Sequence, residues 1–172
     1  GDLALELQRA CPSAEVTGAD FCEEMLELAR DRGLKQSLVA DGLKLPFADD
    51  SFDAVTVAFG LRNMSDWKKG LQEMSRVVRP SGFVLVLDFS LPEGVLRRPY
   101  AYYLNKILPR IAGILTGQRD AYDYLAGSVE RFPSGRAMLD LFEEAGLSDP
   151  TWKPLTQGIA SIYTAKGPDD ES

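Results

Sequence analysis

Apolar and polar positions divide the chain into alternating short strands and amphipathic helices. The clearest stretch is Asp53–Asn63, DAVTVAFGLRN. Between Ala54 and Phe59 every residue but Thr56 is apolar, and Val55 and Val57 are β-branched. Such a run predicts a strand buried on both faces of a parallel sheet. It stops at Gly60, and Arg62 and Asn63 follow with several hydrogen-bond donors. Ligands of open α/β sheets bind outside the carboxyl ends of the strands, so this pair stands where chemistry is usually done. The plainer alternative is a loop in which Asn63 shapes a turn.

The same reading extends along the chain. Leu3, Leu5 and Leu7 predict a helix that Cys11-Pro12-Ser13 ends. Glu15–Asp20 and Gln36–Asp41 are short strands, each finishing on an acid. Phe21–Arg32 between them is a helix, with Gly33 placed for a left-handed cap. Asp41-Gly42 opens a loop closed by Leu45-Pro46-Phe47. Ser65–Val78 is a helix whose stripe of Met64, Trp67, Leu71, Met74 and Val78 marks a core face. Arg79-Pro80-Ser81-Gly82 breaks it, and Phe83–Phe89 forms another doubly buried strand ending near Asp88. Ser134–Ala145 is a helix capped by Ser134 and stopped by Gly146. Thr151–Thr156 and Ile159–Ala165 close the chain as an antiparallel hairpin. Strands alternating with helices predict a doubly wound, mostly parallel α/β sheet. The expectation is one domain over 1–166, a helical lid or substrate insertion over 92–130, and a disordered tail over 167–172. The chain also begins inside a helix, so it reads as a fragment that lacks a preceding strand and glycine loop.

Composition narrows the chemistry. The 172 residues carry a net charge of −7, which argues against nucleic acid as the main partner. Cys11 and Cys22 fit no metal-ligand spacing, and a reduced, cytosolic setting is expected. There is no histidine. Ser–His–Asp triads, HExxH metal sites and the usual general base are therefore excluded. A reaction that asks little of acid–base catalysis gains weight.

Three strand ends carry an acid: Asp20, Asp41 and Asp88. Asp20 lies 19 positions after Gly1, the spacing at which nucleotide-binding βαβ units hold ribose hydroxyls. The alternative is that Asp20 caps the next helix. Asp41 beside Leu45-Pro46-Phe47 could take an adenine, or the loop could hold one hydrophobic anchor. The segment 95–119 sets Arg97, Arg98, Lys106, Arg110 and Arg119 among tyrosines and aliphatics without one acid. In an acidic protein that predicts either a lid with interfacial contact or a pair of core helices with a basic outer face.

These motifs, taken together, resemble class I S-adenosylmethionine-dependent methyltransferases. The pattern is Gly-Asp at the start, the acid ending the next strand, DG…LPF…DSFD, RVVRPSG before a strand and FEEAGL before the hairpin. FGLRNMSD, LDFSLP, LPRI and AYDYLAGSVERFP narrow it to the ubiquinone/menaquinone C-methyltransferases of the UbiE family. The resemblance implies a Rossmann-like fold with a seven-stranded, mostly parallel sheet, a C-terminal antiparallel hairpin, and the first strand and glycine loop missing here. It implies S-adenosylmethionine as cofactor and no metal. Gly1, Asp2, Asp20, Phe21, Asp41, Gly42, Ala58 and Phe59 would be cofactor-binding. Ala58 replaces a small hydroxyl residue frequent in the family. Arg62 and Asn63 would position the oxygen of a prenylated quinol, with Asp88 a candidate base. Tyr122 and Tyr124 would line the substrate cavity, and 95–119 would admit the polyprenyl tail from the membrane surface. A homo-oligomer stays open. Two other readings stand beside this one: a methyltransferase for another lipophilic or phenolic acceptor, and a non-catalytic methyltransferase-like scaffold.

Overall fold

The computed structural model describes residues 1–92, 94–108, 110 and 119–168, with only the backbone for 119–123. Two compact units emerge, Gly1–Ala48 and Asp49–Ser172.

In the first unit, α1 (Asp2–Ala10) and α2 (Glu23–Asp31) accompany two strands, β1 (Thr17–Asp20) and β2 (Gln36–Val39). The strands pair in parallel, with Asp20 opposite Val39. Leu5, Ala29 and Leu34 form a small core. A side chain at Gly1 would stand 2.6 Å from Ala29 Cβ, so the first residue needs to be small. Gly33 has φ +103°, the left-handed end of α2 that its position predicts.

The second unit holds β3 (Phe52–Ala58), α3 (Trp67–Val77), β4 (Val78–Phe89), α4 (Arg97–Tyr102, extended by a π-helical turn Tyr103–Ile107), α5 (Arg119–Arg131), α6 (Arg136–Glu144), β5 (Ser148–Leu155) and β6 (Ala160–Lys166). The strand order is β3-β4-β6-β5. β3 and β4 are parallel, whereas β6 runs antiparallel to both β4 and β5. The closing antiparallel pair is as expected. Six strands are what a seven-stranded sheet without its first strand would leave, but the described residues do not form a mostly parallel sheet. They hold six strands in two sheets, and antiparallel pairings equal parallel ones. The reason is that the second hairpin strand, not the first, docks on β4.

Two expectations about burial also change. β3 pairs with β4 alone, and Val55–Ala58 are half-buried rather than enclosed. β4 alternates instead: Val84, Val86 and Asp88 are buried, Leu85, Leu87 and Phe89 partly so. The break at 79–82 is a wide bulge within β4, because Val78 pairs with Phe52 and the next partners are Phe83 and Ala54. Gly82 lies so close to Asp53 that a Cβ would meet its carbonyl oxygen at 2.6 Å.

The α3 stripe is core, as the periodicity predicts. Leu71, Met74 and Val78 pack with Phe142 and Tyr163, and Met64 and Trp67 lie against them. Ser134 does not cap α6. Gly135 does, at φ +59°, and its N–H donates to the buried Tyr163 hydroxyl at 2.9 Å. A left-handed turn requires glycine there, and the hydroxyl neighbour is not used. Gly167, expected to begin a loose tail, instead donates to Gly82 O at 2.9 Å. Residues 169–172 lie outside the described residues. No described helix is long and apolar enough to cross a membrane.

Candidate active site

The second unit builds its site at the carboxyl end of β3. The ladder ends as Phe59 N–H donates to Leu87 O at 2.8 Å. Phe59 then turns left-handed, at φ +56°. A bulky residue in that region carries strain of order 1–3 kcal/mol, which persists only where surroundings hold it. Here the holding contacts are visible. Leu61 is fully buried in the main core and pins a single 3-10 turn, Leu61–Asn63. The Phe59 carbonyl accepts from Arg62 Nη1 at 2.6 Å and from Asn63 Nδ2 at 3.2 Å. The strained carbonyl thus orients both side chains that follow the strand.

Asp88 completes the arrangement from β4. It is fully buried, and Arg62 Nη1 donates to its Oδ1 at 2.8 Å. Arg62 N–H donates to Oδ2 at 3.2 Å and Phe89 N–H to Oδ1 at 2.8 Å. Burial pushes the Asp88 carboxyl above the usual carboxylate range, and Arg62 partly offsets this. The Arg62 guanidinium lies over the rings of Phe89 (5.1 Å) and Phe59 (5.9 Å), which contact each other at 4.7 Å. Its side chain is 11% exposed. Its Nε is buried without a hydrogen-bond partner. From α5, the Tyr124 hydroxyl donates to Asn63 Oδ1 at 3.3 Å.

Arg62, Asn63, Asp88, Phe59 and Tyr124 are therefore brought together. Tyr122 lies in α5, and its side chain is outside the described residues. The candidate base is differently placed from what was expected. Asp88 is enclosed and already accepts three N–H groups, so it serves Arg62 rather than facing an acceptor. Phe89 was missed, because alternation alone marks it as one more sheet residue. The left-handed Phe59 was missed too. Its only sequence signal is the abrupt Phe-Gly stop. Ala58 is the partly buried last residue of β3.

The first unit gathers a second set of groups at the carboxyl ends of β1 and β2. Asp20 Oδ1 accepts from Cys22 N–H at 3.0 Å, the local cap. That bond uses one of its two oxygens, so capping and ligand binding are compatible. Asp41, two residues beyond β2, makes a tight turn: its Oδ1 accepts from Leu43 N–H at 2.9 Å, with Gly42 between. The strands are held in register up to Ala40 N–H donating to Asp20 O at 2.9 Å. Phe21 is 81% exposed beside Asp20. Two carboxylates, a glycine and an open aromatic ring on adjacent strand ends suit a ribose and a purine. Asp2, at the start of α1, has an ion-pair partner in the same unit. Its carboxylate pairs with Arg32 Nη2 at 2.6 Å, which holds it below the ordinary range.

Comparison with known proteins decides the family. Residues 1–166 match the ubiE/COQ5 methyltransferase family. The chain belongs to that family. A demethylmenaquinone methyltransferase from Thermus thermophilus is 44% identical over 98% of this chain and 79% of its own. A ubiquinone/menaquinone biosynthesis C-methyltransferase UbiE from Bdellovibrio bacteriovorus is 45% identical over 95% and 72%. Among solved structures, a Haloferax volcanii methyltransferase in complex with the Trm112 activator has a TM-score of 0.68 at 16% identity, over 97% of this chain and 78% of that one. A SAM-dependent methyltransferase from Thermotoga maritima has 0.61 at 20% identity, over 87% and 72%. These neighbours share the class I α/β fold. This family member is an S-adenosylmethionine-dependent methyltransferase.

Proposed function

We propose that this protein transfers a methyl group to a ring carbon of a prenylated quinol, a demethylmenaquinol or a related ubiquinone precursor. Membership of the ubiE/COQ5 family over 1–166 carries this reading. It makes the chain a C-methyltransferase of ubiquinone/menaquinone biosynthesis. The site adds the chemistry that such a reaction needs.

When bound, S-adenosylmethionine supplies an activated methyl that moves in line to a carbon nucleophile, so alignment is the protein's main contribution. Asp20 would hold the ribose diol, and Asp41 with Gly42 and Phe21 would flank the adenine. A quinol ring carbon becomes more nucleophilic as its hydroxyl loses a proton. Arg62 stabilises that phenolate oxygen with donors beyond the Nη1 group engaged by Phe59 and Asp88. Asn63 and Tyr124 position the same oxygen. Asp88 is a positioning residue: it fixes the guanidinium and balances its charge in a dry setting. The outer side of α4, with Tyr102, Tyr103 and Ile107 exposed among Arg97, Arg98, Lys106 and Arg110, offers peripheral contact with an anionic bilayer. Residues 109 and 111–118 of that segment lie outside the described residues. The experiment that tests the reading offers the enzyme prenylated hydroquinones and simple phenols, and looks by mass spectrometry for the gain of one methyl.

The ion pair sets a pH dependence. Asp88 must be ionised to hold Arg62, and its carboxyl titrates above the usual value of about 3.9. As pH falls through that raised value, Asp88 takes up a proton and releases Arg62, so kcat falls. The acid limb of the kcat profile is therefore expected above the ordinary carboxylate range. Asp88→Asn should abolish this limb and lower kcat at neutral pH about tenfold, the scale of losing charge assistance. An unchanged limb in that variant removes Asp88 from the account.

A further inference from the structure

Two cavities flank the start of α4, and they differ in chemistry. One, of about 390 Å³, is lined by Leu91, Arg97, Arg98, Ala101 and Glu130. The other, of about 280 Å³, is lined by Pro92, Leu96, Pro99, Tyr100, Gln157 and Ile159. The second contains no charged side chain. An apolar chain entering the first would strip water from two guanidinium groups and a carboxylate, which is costly. The second imposes no such cost.

We infer that this second groove receives the first isoprene units of the prenylated acceptor. The inference rests on the quinol reading above. Its volume is just under the lower end, about 300 Å³, of ordinary small-molecule sites. It is thus too small for a ring and tail together, and suits a branch of a larger ligand.

Continuity with the active site supports the assignment. Phe89 lies under the Arg62 guanidinium and also packs against the cluster of Leu91, Leu104, Ala126 and Val129. Tyr100 packs on that same cluster and lines the groove. The ring beside Arg62 and the wall of the groove therefore border one and the same apolar cluster. The far wall is fixed. Ser90 N–H donates to Ile159 O at 2.9 Å, and Ser90 Oγ donates to Gly158 O at 2.7 Å. Ser90 Oγ also meets the fully buried Ser161 Oγ at 2.8 Å. These bonds tie the turn between β5 and β6 to the end of β4, so the wall that carries Gln157 and Ile159 is set before a ligand arrives. At the rim, Leu96 is half exposed and Val95 is 91% exposed. A tail longer than the groove would leave over this aliphatic edge.

The test compares two acceptors in the same enzyme: a prenylated naphthoquinol and its tail-less analogue. Leu96→Asp places a charge at the groove mouth without emptying a buried site. It is expected to lower kcat/KM for the prenylated quinol about tenfold, the scale of losing one buried aliphatic contact. The tail-less quinol should change less than about twofold, inside the usual scatter of surface substitutions. Leu96→Met should restore the prenylated rate. Equal losses on both acceptors would mean a structural defect and overturn the inference, as would no loss on either. A parent enzyme that methylates neither quinol sinks the quinol reading itself. One that methylates both without preferring the prenylated form sinks only the groove.

Discussion

Arg62→Ala is expected to lower kcat for quinol methylation about 100- to 1000-fold, the cost of removing one donor from a developing oxyanion. Affinity for S-adenosylmethionine should not change, because Asp20, Phe21, Asp41 and Gly42, proposed for adenosine, lie at or just beyond the carboxyl ends of β1 and β2. The argument is geometric. Arg62 is held by the Phe59 carbonyl, by both Asp88 oxygens and by two aromatic faces. A cation so constrained reorganises little when charge develops beside it. The alanine variant has a second consequence. It leaves Asp88 buried without its partner, and breaking such a pair costs about 3–5 kcal/mol of stability. Arg62→Lys separates the two effects. It keeps a positive charge near Asp88 but loses the guanidinium plane that lies over Phe59 and Phe89 and the donors left beyond Nη1. Melting temperature should largely recover in the lysine variant while kcat stays low. A lysine variant with full kcat would show that charge alone suffices.

Asp20→Ala is expected to weaken S-adenosylmethionine binding about a hundredfold by calorimetry. A carboxylate accepting from both hydroxyls of a diol makes charge-assisted bonds worth about 1.5–3 kcal/mol each, and tenfold in Kd is about 1.4 kcal/mol. The demethylated product carries the same ribose, so its affinity should fall by the same factor. That equality separates ribose binding from recognition of the sulfonium. Asp20 also accepts Cys22 N–H at 3.0 Å, and alanine would uncap the entry to α2. Asp20→Asn keeps an acceptor for Cys22 and loses the charge. If cofactor affinity in that variant equals the parent's, the carboxylate is only a cap.

Much of this was legible because local chemistry and fold agree. The α3 stripe, the Gly33 cap and the closing hairpin each follow from side-chain period or backbone freedom, which are local properties. So does the placing of Asp20, Asp41, Arg62 and Asn63, since strand ends can be read from where apolar runs stop. What was not legible depends on pairing between distant segments. No pattern within β6 says that it docks on β4, making half of the pairings antiparallel. Nothing around Asp88 says that its carboxylate turns inward to Arg62, 26 residues earlier. An acid at a strand end reads as a base until its partners are seen. The left-handed Phe59 is likewise imposed by Leu61 being buried and by the two side chains that its carbonyl receives.

The most direct test locates the transferred methyl group. The enzyme would be incubated with S-adenosylmethionine labelled with carbon-13 on its methyl and with a prenylated demethyl naphthoquinol. The product would be examined by nuclear magnetic resonance. The account predicts label at the chemical shift of an aryl methyl, on the ring carbon next to the quinol oxygen, with none at the shift of a methoxy group. Label on oxygen, or no transfer from a cofactor that calorimetry shows to be bound, would contradict it.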